Sequence, residues 1–430
     1  MHPAKLALLG YLSYAVIGWI LLSLPFMQRG PGANSLDNLF TATSAVSTTG
    51  LVTVSVNDCY NFLGQLVILT LIQLGGIGYM TFGSFIILSR KVELTEARTK
   101  IGRTVFSLPE SFRIDKFIKS VIVFTVIIEL AGAMFLYFIF REGGDLSPLW
   151  SAIFHSVSTF CTAGFSLNNN SFEAYNDNFW LNSVIAVLSY LGAIGFIVCV
   201  DFWRMFTGKV KHITLTSKII LYVTFWLSIA GTLLLFLNEP SIQGKATDEK
   251  LLCSFFQSMT ALTTVGFNTI PISAMSKASL FLIIFLMVIG ASPSGTGGGL
   301  KSTTFSALWG VMRSIIRGEK EVKFWRKTIP VERILNAVAS VGFYLLMLVL
   351  GCYILEITEK AGFEDIFFEA ASALGTVGLS AGITASLTAV GKLIIIFLMF
   401  CGRLGPLTFG IALFFKNPND ETPGDSDLAV

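Results

Sequence analysis

Four short segments of this 430-residue chain carry residues that can hold an ion through backbone oxygen: SAVSTTGL (44–51), STFCTAGF (158–165), TALTTVGF (260–267) and SALGTVGL (372–379). Each ends in Thr-x-Gly followed by Leu or Phe, giving the triplets Thr48-Thr49-Gly50, Thr162-Ala163-Gly164, Thr264-Val265-Gly266 and Thr376-Val377-Gly378. Glycine permits positive φ and close backbone approach. Successive carbonyls can then point one way and replace the hydration shell of a cation. A threonine hydroxyl adds one more oxygen. Neutral oxygen dipoles suit a weakly hydrated monovalent ion better than Mg²⁺ or Ca²⁺, which usually recruit carboxylates. One such tetrapeptide is an ordinary turn or a tight helix contact. Four, spaced about 100 to 115 residues apart, are internal repeats. A second mark travels in register, 24 to 28 residues after each glycine: GGIG (75–78), GAIG (192–195), GASP (290–293) and GRLG (402–405).

The third repeat departs from the others. An apolar run at 280–290 gives way to ASPSGTGGGLKSTT (291–304) before apolar sequence resumes at 305–316. Gly295, Gly297, Gly298, Gly299 and Pro293 break a helix, and the repeat places the break in mid-membrane. The corresponding runs of repeats one, two and four are not broken this way. Three readings compete. The stretch is similar to the phosphate-loop pattern G-x-x-x-x-G-K-[ST], but Leu300 replaces the last glycine and no strand precedes it. A passive kink is the second reading. An intramembrane loop, 290–304, obstructing the path below the Thr-x-Gly segments is the third. Lys301 lies in it, and Arg403 lies in the small-residue cluster of repeat four. A cation at membrane depth is costly and marks function, and its field repels another cation. For Arg403 the structural alternative is pairing with loop carbonyls or with an acid such as Glu129 or Glu356.

Elements that could position these residues follow from composition. The chain is 53% hydrophobic and 13% charged, against about one quarter charged for a soluble protein. Apolar runs recur near 6–27, 63–88, 121–140, 181–203, 219–237, 278–316 (interrupted), 334–357 and 391–415. About 20 apolar residues cross a bilayer as a helix. Between the runs of each repeat, a segment of some 12 to 15 residues precedes Thr-x-Gly and is too short to span. The expected fold is an all-α membrane protein: four parallel helix–pore-loop–helix repeats around a central pore, with eight spanning helices and four re-entrant half-helices. The divisions are 1–95, 96–210, 211–325 and 326–416, then a tail, 417–430. Lys and Arg cluster at 90–119, 204–218 and 313–333, whereas other loops carry few, such as Arg29, Arg141 and Lys277. The positive-inside rule puts the basic loops and the N-terminus in the cytoplasm and all four Thr-x-Gly loops outside.

Other classes fit less well. Six cysteines show no metal spacing and read as unpaired packing residues. His2, His155 and His212 are scattered, so no intramembrane catalytic cluster is present and no enzyme is expected; His155 reads as a packing or helix-end residue. An alternating-access carrier usually shows broken helices in paired positions, and here one break is seen.

Taken together, the four triplets, the paired small-residue clusters and the single glycine-rich break resemble the Trk/Ktr/HKT superfamily of K⁺ transporters, and most closely its Ktr-type pore subunits. The resemblance covers nearly the whole chain, without the extra N-terminal helices of the Trk branch. It implies a selectivity filter at the twelve triplet residues, binding K⁺, with Gly50 pointing to K⁺ over Na⁺. Thr-Val-Gly in repeats three and four is similar to the K⁺-channel filter, while Thr48-Thr49-Gly50 and Thr162-Ala163-Gly164 depart from it and imply a looser filter. It implies a gate at Gly295, Gly297, Gly298, Gly299, Lys301 and Arg403. It also implies a homodimer seated on a cytosolic ring of nucleotide-binding RCK domains, with 98–119 and 204–218 as candidate contacts. Some relatives couple uptake to Na⁺; no dedicated Na⁺ site is evident here.

Overall fold

The computed structural model describes residues 3–30, 32–78, 114–208, 210–325 and 327–414. Most of the basic stretch 90–119 and the tail 417–430 lie outside the described residues. The first unit contains α1 (Pro3–Leu22), α2 (Ser35–Val46) and α3 (Phe62–Ile77). The second contains α4 (Ile114–Glu142), α5 (Pro148–Phe160), α6 (Phe179–Ala193) and α7 (Phe196–Phe206). The third contains α8 (Leu215–Asn238), α9 (Thr247–Thr263), α10 (Lys277–Ile289) and α11 (Ser302–Ile316). The fourth contains α12 (Val331–Thr358), α13 (Phe363–Gly375), α14 (Ala389–Leu404) and α15 (Pro406–Phe414).

Helices α1, α4, α8 and α12 are long and apolar enough to cross a bilayer. Only 22–28% of their most apolar windows is buried inside the protein. Val126, Leu130 and Phe138 of α4 are exposed large hydrophobics, as a lipid-facing surface requires. The short helices α2, α5, α9 and α13 are the reverse. They have 12 to 17 residues, too few to span, and their C-terminal halves are buried even at polar positions. Their starts are marked in the sequence. Asn34 caps α2 by accepting from Asp37 N, and Pro148 opens α5. Asp248 and Glu249, and Glu364 and Asp365, occupy the first turns of α9 and α13, next to the partly positive helix ends.

The second helix of each unit packs against the short helix of the next: α3 on α5, α6 on α9, α10 on α13, and α14 back on α2. The circle is thereby closed within one chain. A nearly buried ion pair, Lys392 Nζ to Asp37 Oδ1 at 2.7 Å, ties the last unit to the first.

Two features depart from the sequence expectation. The second helices of units two and four are also broken. Helix α6 turns into α7 through 94°, and α14 into α15 through 99°. Helix α3 stops at Gly78. The two bends are made by glycines with positive φ, Gly195 (+89°) and Gly405 (+84°), and Gly78, where α3 ends, also has positive φ (+87°). A lone glycine in an apolar run does not show in sequence whether the helix continues. What distinguishes unit three is the twelve-residue insert, 290–301, between α10 and α11. In addition, the helical pattern is interrupted, among the described residues, by a two-stranded antiparallel hairpin of β1 (Lys323–Phe324) and β2 (Lys327–Thr328) in the basic stretch 313–333.

Candidate functional site

All four short helices end alike. The amide of the middle triplet residue donates to a carbonyl five positions back: Thr49 to Ser44 O (2.9 Å), Ala163 to Ser158 O (2.7 Å), Val265 to Thr260 O (3.1 Å) and Val377 to Ser372 O (2.9 Å). This is a Schellman ending, where glycine customarily takes the left-handed position. Here threonine takes it, with φ of +52° at Thr48, +49° at Thr162, +58° at Thr264 and +48° at Thr376. That conformation costs an L-residue roughly 1–2 kcal/mol. Two residues on, Gly50, Gly164, Gly266 and Gly378 also have positive φ, between +66° and +96°.

The four triplets meet in cyclic order. A Cβ added at Gly50 would strike Ala163 O; at Gly164, Val265 O; at Gly266, Val377 O; and at Gly378, Thr49 O. Each glycine is thus held against the middle-residue carbonyl of the next triplet. Among the twelve triplet residues, all but Gly164 and Gly378 are buried. Hydroxyls at the head of the motif hold the turns. Ser44 Oγ and Ser372 Oγ accept from Gly50 N and Gly378 N, each at 3.1 Å, while Ser158 Oγ donates to Phe165 O at 2.8 Å. The sequence reading used Ser44, Ser158 and Ser372 only as alignment marks.

The insert 290–301 lies against all four threonines. Thr48 Oγ1 donates to Thr296 O at 3.3 Å, and Thr162 Oγ1 is 3.1 Å from Thr296 Oγ1. Gly298 N donates to Thr264 Oγ1 at 3.2 Å, and a Cβ at Gly298 would strike Thr376 Oγ1. The insert is also stitched to the break of unit two. Ser292 N donates to Ala193 O (3.0 Å), Thr296 N to Gly192 O (3.1 Å) and Phe196 N to Ser294 O (3.2 Å).

The two cations hold the insert's carbonyls. Lys301 Nζ donates to Gly297 O at 2.5 Å. Arg403 Nη1 donates to Thr296 O and, at 2.8 Å, to Thr48 Oγ1, and its Nη2 donates to Gly75 O. Arg403 therefore bridges the insert, the first triplet and the first small-residue cluster. Glu129 is engaged elsewhere, accepting from Gln73 Nε2 at 3.1 Å. A cavity of about 630 Å³ adjoins the insert, lined by Gly297, Lys301 and Arg403 together with Tyr11, Arg333 and Asn336. The small-residue clusters explain the close approach of helices. Cβ atoms at Gly75, Gly192 and Gly402 would strike Val46 O, Phe160 O and Leu374 O, at the ends of the short helices.

Lipid-facing long helices around a buried circle of backbone turns define a multi-pass membrane protein of the cation-transport class. The chain belongs to the TrkH family of cation transport proteins, whose family model matches residues 19–423. It is similar to the potassium/sodium uptake protein NtpJ of Enterococcus hirae, with 37% identity over 428 residues covering 97% of this chain and 94% of that one. It is similar also to Ktr system potassium uptake protein B of Bacillus subtilis, with 36% identity over 414 residues covering 95% and 92%. The crystal structure of the potassium transporter TrkH from Vibrio parahaemolyticus shares the fold, with a TM-score of 0.76 at 20% identity, covering 95% of this chain and 83% of that one.

Proposed function

We propose that this chain is the ion-conducting subunit of a K⁺ uptake system. K⁺ sheds water and passes along the axis of the four triplets, coordinated by their backbone carbonyls and by the threonine hydroxyls. The observation that carries this reading is the cyclic contact of the glycines with neighbouring carbonyls, at four positions that the sequence already aligns. Each of α2, α5, α9 and α13 aims its partly negative C-terminal end at the same circle. The insert 290–304 is the gate, and Lys301 and Arg403 are its latch and its electrostatic barrier. Eight spans and four re-entrant half-helices complete the four-unit pore, with the N-terminus cytoplasmic. Relatives named as Ktr system B proteins are components of a system. That supports a further subunit for this chain, and the family resemblance makes the proposed assembly a homodimer seated on a cytosolic RCK ring. A second reading, a pore that also passes Na⁺ or depends on it, is favoured by the name of the Enterococcus relative.

The test is ion uptake in cells lacking their own K⁺ uptake, with Gly50, Gly164, Gly266 and Gly378 each replaced by serine. A side chain there is strained by its positive φ and would collide with a coordinating carbonyl. Each variant is expected to lower K⁺ affinity or discrimination against Na⁺. Wild-type behaviour in all four would remove the filter assignment.

A further inference from the structure

Nine positions before each triplet glycine, one turn ahead of the motif's first hydroxyl, stand Thr41, His155, Gln257 and Glu369. No motif links these four residue types, and the transport reading gives them no task. All are fully buried. Burying a polar group without partners is costly, so their bonds show what they are for.

In units two to four those bonds reach the same place: the chain two to six residues beyond the glycine. His155 Nε2 is 3.0 Å from Ser166 Oγ and accepts from Leu167 N at 3.3 Å. Its Nδ1 is 2.8 Å from Ser151 O, which assigns the ring proton to Nδ1. With its amide oxygen facing the loop, Gln257 accepts from Thr269 N (3.1 Å) and Ile270 N (3.3 Å). Glu369 accepts from Ser380 Oγ at 3.0 Å and from Thr384 Oγ1. Three different side chains from three helices make the same connection. In unit one Thr41 is short, its hydroxyl lies beside the Tyr60 side chain and makes no bond to residues 52–56, and Val52 stands where Ser166 and Ser380 stand in units two and four.

We propose that His155, Gln257 and Glu369 are positioning residues that set ion discrimination by pinning the outer limb of their filter segments, and that the segment of Gly50 is left unpinned. They act through the backbone and do not touch the ion. A triplet fixed only at its helix end can widen by swinging its outer limb. Carbonyls that can move accommodate Na⁺ as well as K⁺. The brace ties the outer limb to the same rigid helix that carries the inner end.

This inference rests on the filter reading, so both are tested together. The readout is the ratio of Rb⁺ to Na⁺ uptake, corrected for membrane abundance, in the same deficient cells. Ser380→Ala removes a donor to Glu369 from the loop side and leaves the helix core untouched; Glu369→Leu and His155→Leu remove the braces themselves. Loss of one buried hydrogen bond is expected to lower the ratio by roughly tenfold. Glu369→Gln, which places in unit four the side chain unit three already uses, should recover most of what Glu369→Leu loses. A brace needed only for folding would lower abundance without moving the ratio, and Ser380→Ala keeps the question open to measurement if a leucine variant fails to reach the membrane. Should Gly378→Ser lower the ratio while Ser380→Ala, Glu369→Leu and His155→Leu leave it unchanged, the braces are not determinants and the filter reading survives. Should the glycine variants leave it unchanged as well, the filter reading fails and this inference with it.

Discussion

Thr48, Thr162, Thr264 and Thr376 hold a backbone conformation that glycine would adopt with less strain. Keeping a β-branched residue there four times is explained by the hydroxyl, which lies at the junction of the triplets and the insert. Arg403 binds at that junction too. Replacing it with Gln shortens its reach and removes the charge that fastens Thr296 O to the first unit. Arg403→Gln, and separately a shortening of 295–299, are each expected to raise K⁺ flux; unchanged uptake kinetics in both would sink the gate. At this scale the triplets were legible because glycine and threonine recur in register. Thr41, His155, Gln257 and Glu369 were not, because equivalent positions are filled by unlike residues whose shared task is a contact, not a composition.

Helices are joined by polar clamps that follow the same repeat. Glu239, just past α8, accepts from Ser241 N at 2.9 Å and from Ser276 N and Oγ, each at 3.1 Å, where α10 begins. Glu359, just past α12, likewise accepts from Thr388 N at 3.0 Å and Thr388 Oγ1 at 2.6 Å, where α14 begins. Burial alone would push the Glu239 carboxyl up, but hydrogen bonds from Ser279, Ser241 and Ser276 outweigh it and hold it below the ordinary glutamate range. With the folded value below the unfolded one, the clamp's contribution is complete above the unfolded value and is lost as pH falls. The melting temperature of purified protein should therefore fall more steeply for wild type than for Glu239→Gln as pH drops below the ordinary glutamate value of 4.5. Equal slopes would show that the clamp does not act through its charge. The starts of the short helices carry marks in the sequence, Asn34, Pro148 and the paired acids, that the sequence analysis did not use. The bends after α6 and α14 were not legible there, because a single glycine in an apolar run is compatible with a continuing helix, and tertiary packing selects the turn.

Across the whole molecule, closure of the circle depends on α14 returning to α2. Lys392 and Asp37 sit at that seam with side chains only 13% and 8% exposed. Removing one member of a buried pair leaves an uncompensated charge, at a cost of about 3–5 kcal/mol. Asp37→Asn and Lys392→Met should each lower stability more than the double variant's excess over either one, as coupled neighbours do. Simple additivity in a thermal-melt cycle would mean that the seam is held by apolar packing alone. The fourfold recurrence of the triplets and of the small-residue clusters was legible in the sequence; the cyclic order of contacts was not, since α14 and α2 are 355 residues apart at their ion pair. One insert, present once, touches the threonines of all four units. A channel of four identical chains would have four such elements and could open by degrees. On the gate reading proposed above, the docking of a single segment would govern the aperture of each chain, so each pore should open in one step without sublevels of its own.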